Sequence, residues 1–96
     1  MSSYPVRSIR RALLAKGFQE EQSHHSFFRL VVHGQTTAVL TKLSHGAREY
    51  GDSLLSRMAR QMHLSRRELD AFLRCPMSAT DYTRLLVRRG ELKVAF

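Results

Sequence analysis

The spacing of apolar residues changes character at Gly17, and that change decides what this chain folds into. Before it, Val6, Ile9 and Leu13 recur at helical spacing. Pro5 suits a first helical turn and Gly17 supplies a stop, so residues 5–16 read as a helix. After it, Phe18 to Gln22 reads as a short edge strand and Ser26 to Val32 as a stronger one. Gly34 sits in a hairpin turn, and Thr36 to Leu43 is rich in β-branched residues. Three short strands with tight connections predict an antiparallel meander.

The rest of the chain returns to helical spacing. Ser44 to Gly51 reads as a loop, and Asp52 or Ser53 as the cap of a helix with the stripe Leu54, Leu55, Met58, Ala59 and Met62. Ser65 and Glu68 form a capping box, opening a helix that carries Leu69, Phe72 and Leu73. Pro76 ends that segment. Ser78 to Asp81 starts another, with Tyr82, Leu85 and Leu86 inward and Gly90 as its stop. The expected architecture is α+β in the order α-β-β-β-α-α-α. Helices cover one face of a three-stranded antiparallel sheet, and the other face stays open. A chain of 96 residues has room for one such core.

Charge narrows the partner. Lysine and arginine number 16 against 8 acidic residues, for a formal charge of +8. Only Lys16, Lys42 and Lys93 are lysines; the rest are arginines, whose planar fork suits phosphate and stacks on bases. Cationic surfaces gain from releasing the counterions of a polyanion, so a nucleic acid is the expected ligand. A basic surface for an acidic protein is the alternative. Arg7, Arg10 and Arg11 project from a different side of the first helix than its apolar stripe, with no acidic residue expected nearby to neutralise them, and Leu14 falls close to them.

Other classes fall away. The single cysteine, Cys75, builds neither a disulfide framework nor a cysteine metal site. No apolar run nears the ~20 residues that span a bilayer, and the segment Met1 to Pro5 has no signal-peptide character. The cytoplasm is the expected compartment, with no membrane partner. Met58, Met62 and Met77 read as core packing rather than a cofactor site, and no cofactor is expected.

Five histidines remain: His24, His25, His33, His45 and His63. Their spacing fits no metal motif, and adjacent strand residues point to opposite faces, so no metal site is expected. Metal-free cleavage of RNA is a better fit. It needs a base for the 2′-hydroxyl proton, an acid for the leaving oxygen and cations around the phosphorane. Histidine serves either role near neutral pH. By strand parity His24 groups with Ser26, Phe28, Leu30 and Val32, the more apolar, helix-facing set. His25 groups with Phe27, Arg29 and Val31. Read without further context, both rings also fit surface positions at a strand edge, and Phe27 fits either base stacking or sheet packing.

The run Leu13-Leu14-Ala15-Lys16-Gly17-Phe18, followed by Gln22-Ser23-His24-His25-Ser26-Phe27-Phe28, resembles the HicA toxin family of small bacterial mRNA interferases. Their first helix ends in a Gly-Phe pair followed shortly by a Gly-Ser-His-His-x-Phe-like segment. The third strand, His45-Gly46, Glu49 and the helix from Asp52 follow the family's order, and the likeness covers about Pro5 to Phe72. It implies a double-stranded-RNA-binding-domain-like fold and mRNA cleavage by His24, with a HicB-type antitoxin covering the site. Residues 1–76 would form the HicA-like domain and residues 77–96 a C-terminal helical extension of it. Ser23 and His25 would shape the surroundings of His24 and touch RNA. Arg7, Arg10, Arg11, Arg29 and Lys42 are the expected phosphate contacts. Gln22 departs from the family, standing where a glycine is usual; it adds bulk and removes backbone freedom beside the histidine.

Two other classes stay open at this point. Leu54 to Leu73 also reads as a helix-turn-helix, with Arg66 and Arg67 opening the second helix where a DNA major groove would be met. A non-catalytic module that only binds a partner is the third.

Overall fold

Two left-handed turns organise the sheet. The computed structural model describes residues 3–22, 26–44, 46–74 and 76–93. Gly17 takes φ +104°, a conformation side chains rarely adopt, and its carbonyl accepts from the Val31 amide at 2.9 Å. This one residue ends helix α1 (Val6–Ala15) and starts strand β2 (Phe18–Gln22). His33 and Gly34, at φ +52° and +78°, give the two consecutive left-handed residues of a tight hairpin. They join β3 (Ser26–Val32) to β4 (Gln35–Leu43).

The sheet is antiparallel in the order β2-β3-β4, so the meander read from the sequence is present. Two short strands that the sequence reading lacked are added: β1 (Tyr4–Pro5) pairs antiparallel with β5 (Glu49–Tyr50). Pro5 is therefore the residue before α1, not part of its first turn, and the segment read as a loop before Gly51 contains a strand. Four helices complete the fold: α1, α2 (Asp52–Gln61), α3 (Arg66–Arg74) and α4 (Ala79–Arg88).

Side-chain alternation along β3 divides the sheet. Ser26, Phe28, Leu30 and Val32 are buried, while Phe27, Arg29 and Val31 are half-exposed. Val39, Thr41 and Leu43 of β4 join the buried face. The β3–β4 register shifts between Arg29 and Val31, where Arg29 faces Leu40 and Val31 faces Thr36. Two extra β4 residues enter there, an even number, so the faces are not exchanged. Thr37 repairs the interruption: its hydroxyl donates to the Leu30 carbonyl at 2.9 Å and accepts from the Val39 amide at 3.2 Å.

Against the buried face lie Ile9 and Leu13 of α1, Leu55, Met58 and Met62 of the α2 region, and Leu69 and Phe72 of α3. α4 packs into the same core, as its inward residues Tyr82 and Leu86 require. Tyr82 is fully buried, its ring stacks at 5.9 Å from Phe18 and meets Phe72 edge-on at 5.1 Å. Its hydroxyl donates to the Met62 carbonyl at 2.9 Å, and burial pushes that phenol well above its ordinary pKa.

Caps fix the helix starts. The Ser65–Glu68 box forms, with Glu68 N donating to Ser65 Oγ at 3.1 Å and Ser65 N to Glu68 Oε1 at 2.8 Å. Ser78 and Asp81 form a second box. Helix α2 differs from expectation: Gly51 is its cap, without a side-chain bond, and Asp52 is already helical. Asp52 instead forms an ion pair with Arg66 at 3.6 Å. Among the described residues, no helix is long and apolar enough to cross a membrane.

Candidate nucleic-acid interface

The placement of α1 on the sheet follows from the Gly17 turn. Arg10 lies seven residues before Gly17, about 10 Å along a helix rising 1.5 Å per residue. Glu20 lies three residues after it, about 10 Å along a strand rising 3.3 Å. The two side chains therefore meet, and Arg10 Nη2 approaches Glu20 Oε1 at 2.5 Å. This overturns the expectation that the α1 arginines have no acidic neighbour. Arg10 is neutralised; Arg7 and Arg11 are exposed and have no ion pair among the described residues.

Extending the same arithmetic brings Arg7 level with Gln22, each about 15 Å from the turn. Gln22 and Ser26 are register partners that close the β2–β3 ladder, and Ser26 also faces Leu43. One end of the sheet is thus bounded by Arg7, Gln22, Ser26 and Leu43. Ser23, His24 and His25, which join Gln22 to Ser26, lie outside the described residues, as do His45 and Cys75. Two more cations reach this end. The Val6 amide donates to the Arg48 carbonyl at 2.8 Å, which holds exposed Arg48 beside the start of α1. Exposed Lys42 faces Phe27 across the β3–β4 ladder.

Arg29 is where expected by parity, on the face away from the core, but it is partly spent. Its guanidinium contacts Glu21 Oε2 at 3.3 Å and donates to the Thr37 carbonyl at 3.2 Å. Lys16 contributes little to the outer surface. Its ammonium donates to the carbonyls of Phe72 and Met77, the latter at 2.7 Å, and lies 5.0 Å from the centre of the Phe72 ring. The stem crosses the core rim and the charge satisfies backbone oxygens near the end of α3.

In the second helical pair, the arginines opening α3 are partly paired with carboxylates. Arg66, at the start of α3, is held by Asp52 and by Asp70, which also accepts from the Tyr4 hydroxyl at 3.0 Å. Glu68 meets Arg89 at 2.5 Å, and that guanidinium, with the Ser65 amide, holds the carboxyl below its usual range. The first turn of α3 therefore presents paired carboxylates beside its arginines, which a phosphate-lined groove disfavours. Arg67 alone of this turn remains exposed without an ion pair among the described residues.

Sequence reasoning missed Arg48 and Arg57. Arg57 lies on α2, exposed, and shares a surface notch with Lys42, Ser44 and Gln61. No signal within α2 distinguishes Arg57 from Arg60; only the packing of α2 on β4 does. No group of three or more histidine, cysteine, aspartate or glutamate side chains able to hold a metal occurs among the described residues. Comparison with protein-family models, curated proteins and solved structures gives no match to this chain.

Proposed function

We propose that this chain binds single-stranded RNA at the sheet end bounded by Arg7, Lys42 and Arg48, and cleaves it there with His24 as general acid or base. The observation that carries the binding is the distribution of charge after pairing. Glu20 and Glu21 neutralise Arg10 and Arg29, while Arg7, Arg11, Lys42 and Arg48 keep exposed charge without an ion pair among the described residues. Gln22 and Ser26, which flank Ser23, His24 and His25 in the sequence, are register partners at that same end. Cations around a histidine are what metal-free phosphodiester cleavage requires.

The catalytic part rests on the likeness of Leu13–Phe18 and Gln22–Phe28 to the HicA family, and with it come three further proposals. The fold is of the double-stranded-RNA-binding-domain kind. The substrate is mRNA in the cytoplasm. A HicB-type antitoxin covers the sheet end and blocks it. Binding is tested by fluorescence anisotropy with a labelled single-stranded RNA and a DNA duplex of matching sequence, from 50 to 200 mM salt. The expected result is tighter binding of RNA with a steep loss of affinity as salt rises. Tighter binding of the duplex, or affinity indifferent to salt, refutes it.

A further inference from the structure

We propose that Lys42, Ser44, Arg57 and Gln61 form a phosphate-binding notch on the outer edge of β4, taking one internucleotide phosphate of the bound strand. The inference rests on the RNA reading and extends it from the sheet end to helix α2. The notch is small and open to solvent, with room for about one water-sized group, so it admits an oxygen of a phosphate and not a base.

Its chemistry is that of a donor cluster. Lys42 and Arg57 both line it, neither has an ion pair among the described residues, and no carboxylate lines it. The Thr41 hydroxyl, 1% exposed as a residue, donates to Gln61 Oε1 at 2.6 Å. That bond holds the carboxamide in place, and its N–H2 group makes no hydrogen bond among the described residues. Gln61 therefore offers two donors from an oriented group. Tyr50 locks the strand end: its hydroxyl accepts from the Ser44 amide at 2.9 Å and lies 3.4 Å from the Lys42 carbonyl. Tyr50 and Met58, 3% and 1% exposed, make an apolar floor that strengthens the field of the two cations above it.

The notch continues the interface. Lys42 lies opposite Phe27, next to the Ser26 end of the ladder, so a strand following the outer sheet face from that end meets Lys42 first and then turns over the β4 edge to Arg57. The phosphate is read as an oxyanion with no dependence on base identity.

The test compares Arg57→Gln with Arg60→Gln, which removes the same charge from the same helix outside the notch. Both are exposed, so circular dichroism and melting temperature should match wild type. With single-stranded RNA, Arg57→Gln should lower the slope of log affinity against log salt by about 0.7 and weaken binding about fivefold at 0.1 M salt. Arg60→Gln should leave the slope unchanged. Equal effects of both variants, or none from Arg57→Gln, overturn an RNA phosphate at this site. If wild type binds no RNA, the function proposed above fails and the notch is judged with inorganic phosphate alone. Saturable shifts of the Lys42 and Ser44 amides in nuclear magnetic resonance spectra, lost in Arg57→Gln, support an oxyanion site for free phosphate. Their absence ends the proposal. If RNA ignores Arg57 while inorganic phosphate saturates the same amides, the notch serves a free phosphate and not the strand.

Discussion

Replacing Arg7 and Arg11 together with glutamine should cost the RNA interface two phosphate contacts. Replacing Arg10 together with Glu20 should cost it none. Arg10 sits between the other two on α1, and the sequence gives no reason to treat it differently. In the structure its charge is taken by Glu20 at 2.5 Å, whereas Arg7 and Arg11 have no ion pair among the described residues. Each contact to a single strand contributes about 0.7 to the salt slope. The Arg7→Gln/Arg11→Gln variant should therefore lose about 1.4 units of slope and about 25-fold in affinity at 0.1 M salt. The Arg10→Gln/Glu20→Gln variant keeps net charge, and its lost half-exposed ion pair is worth less than about 1 kcal/mol of stability. Anisotropy titrations at several salt concentrations measure all of this. As a control for net charge alone, Arg88→Gln/Lys93→Gln removes two exposed cations near the C-terminal end of the described chain. If that variant loses as much slope as Arg7→Gln/Arg11→Gln, binding follows overall charge and α1 has no special place in it.

Three further outcomes are expected. Tyr82→Phe should lower stability by about 1 kcal/mol through loss of the bond to Met62, or ~4–8 °C in melting temperature for a domain of this size; unchanged melting would contradict the buried bond. Glu68 has a folded pKa below its ordinary 4.5, so its stabilising contribution is fully present above that value and fades as pH falls through the folded pKa. Glu68→Gln should accordingly flatten part of the acid limb of a stability–pH curve, and an identical limb would refute the Arg89 and Ser65 account. Cleavage of RNA should persist in excess EDTA, since the histidine mechanism needs no ion; loss on chelation with recovery on adding magnesium or zinc would contradict it.

The periodic parts of this fold were legible in the sequence. Strand β2 begins and ends where the residues predict, and β3 likewise, because Gly17 and the alternation of Ser26, Phe28, Leu30 and Val32 leave little choice of register. The pairing of Tyr4–Pro5 with Glu49–Tyr50 was not legible, since two residues carry no period and their partners lie some 45 positions away. The cap of α2 was placed a residue or two late: Gly51 caps it without a side-chain bond, and Asp52, already helical, pairs with Arg66. The inward side of α4 was legible at Tyr82, but not the three-ring cluster that Tyr82, Phe18 and Phe72 form from three different elements.

The interface was legible in its charge but not in its accounting. Composition counts Arg10, Arg29 and Lys16 as equals of Arg7 and Lys42. Only the folded chain shows that the first two face glutamates and the third faces backbone carbonyls. Arg57 enters through the contact of α2 with β4, which no local pattern encodes.

The central claim, that His24 performs RNA cleavage at this sheet end, is tested most directly by timing the decay of one single-stranded RNA. Wild type, His24→Ala and His25→Ala would be purified, matched in melting temperature and compared in EDTA. Wild type should cleave, His24→Ala should be slower by ~10²–10⁴-fold, and His25→Ala should keep most of the activity. A His24→Ala protein that cleaves as fast as wild type contradicts the assignment. Wild type that binds RNA without cutting it contradicts the enzyme reading, unless Gln22→Gly restores the decay.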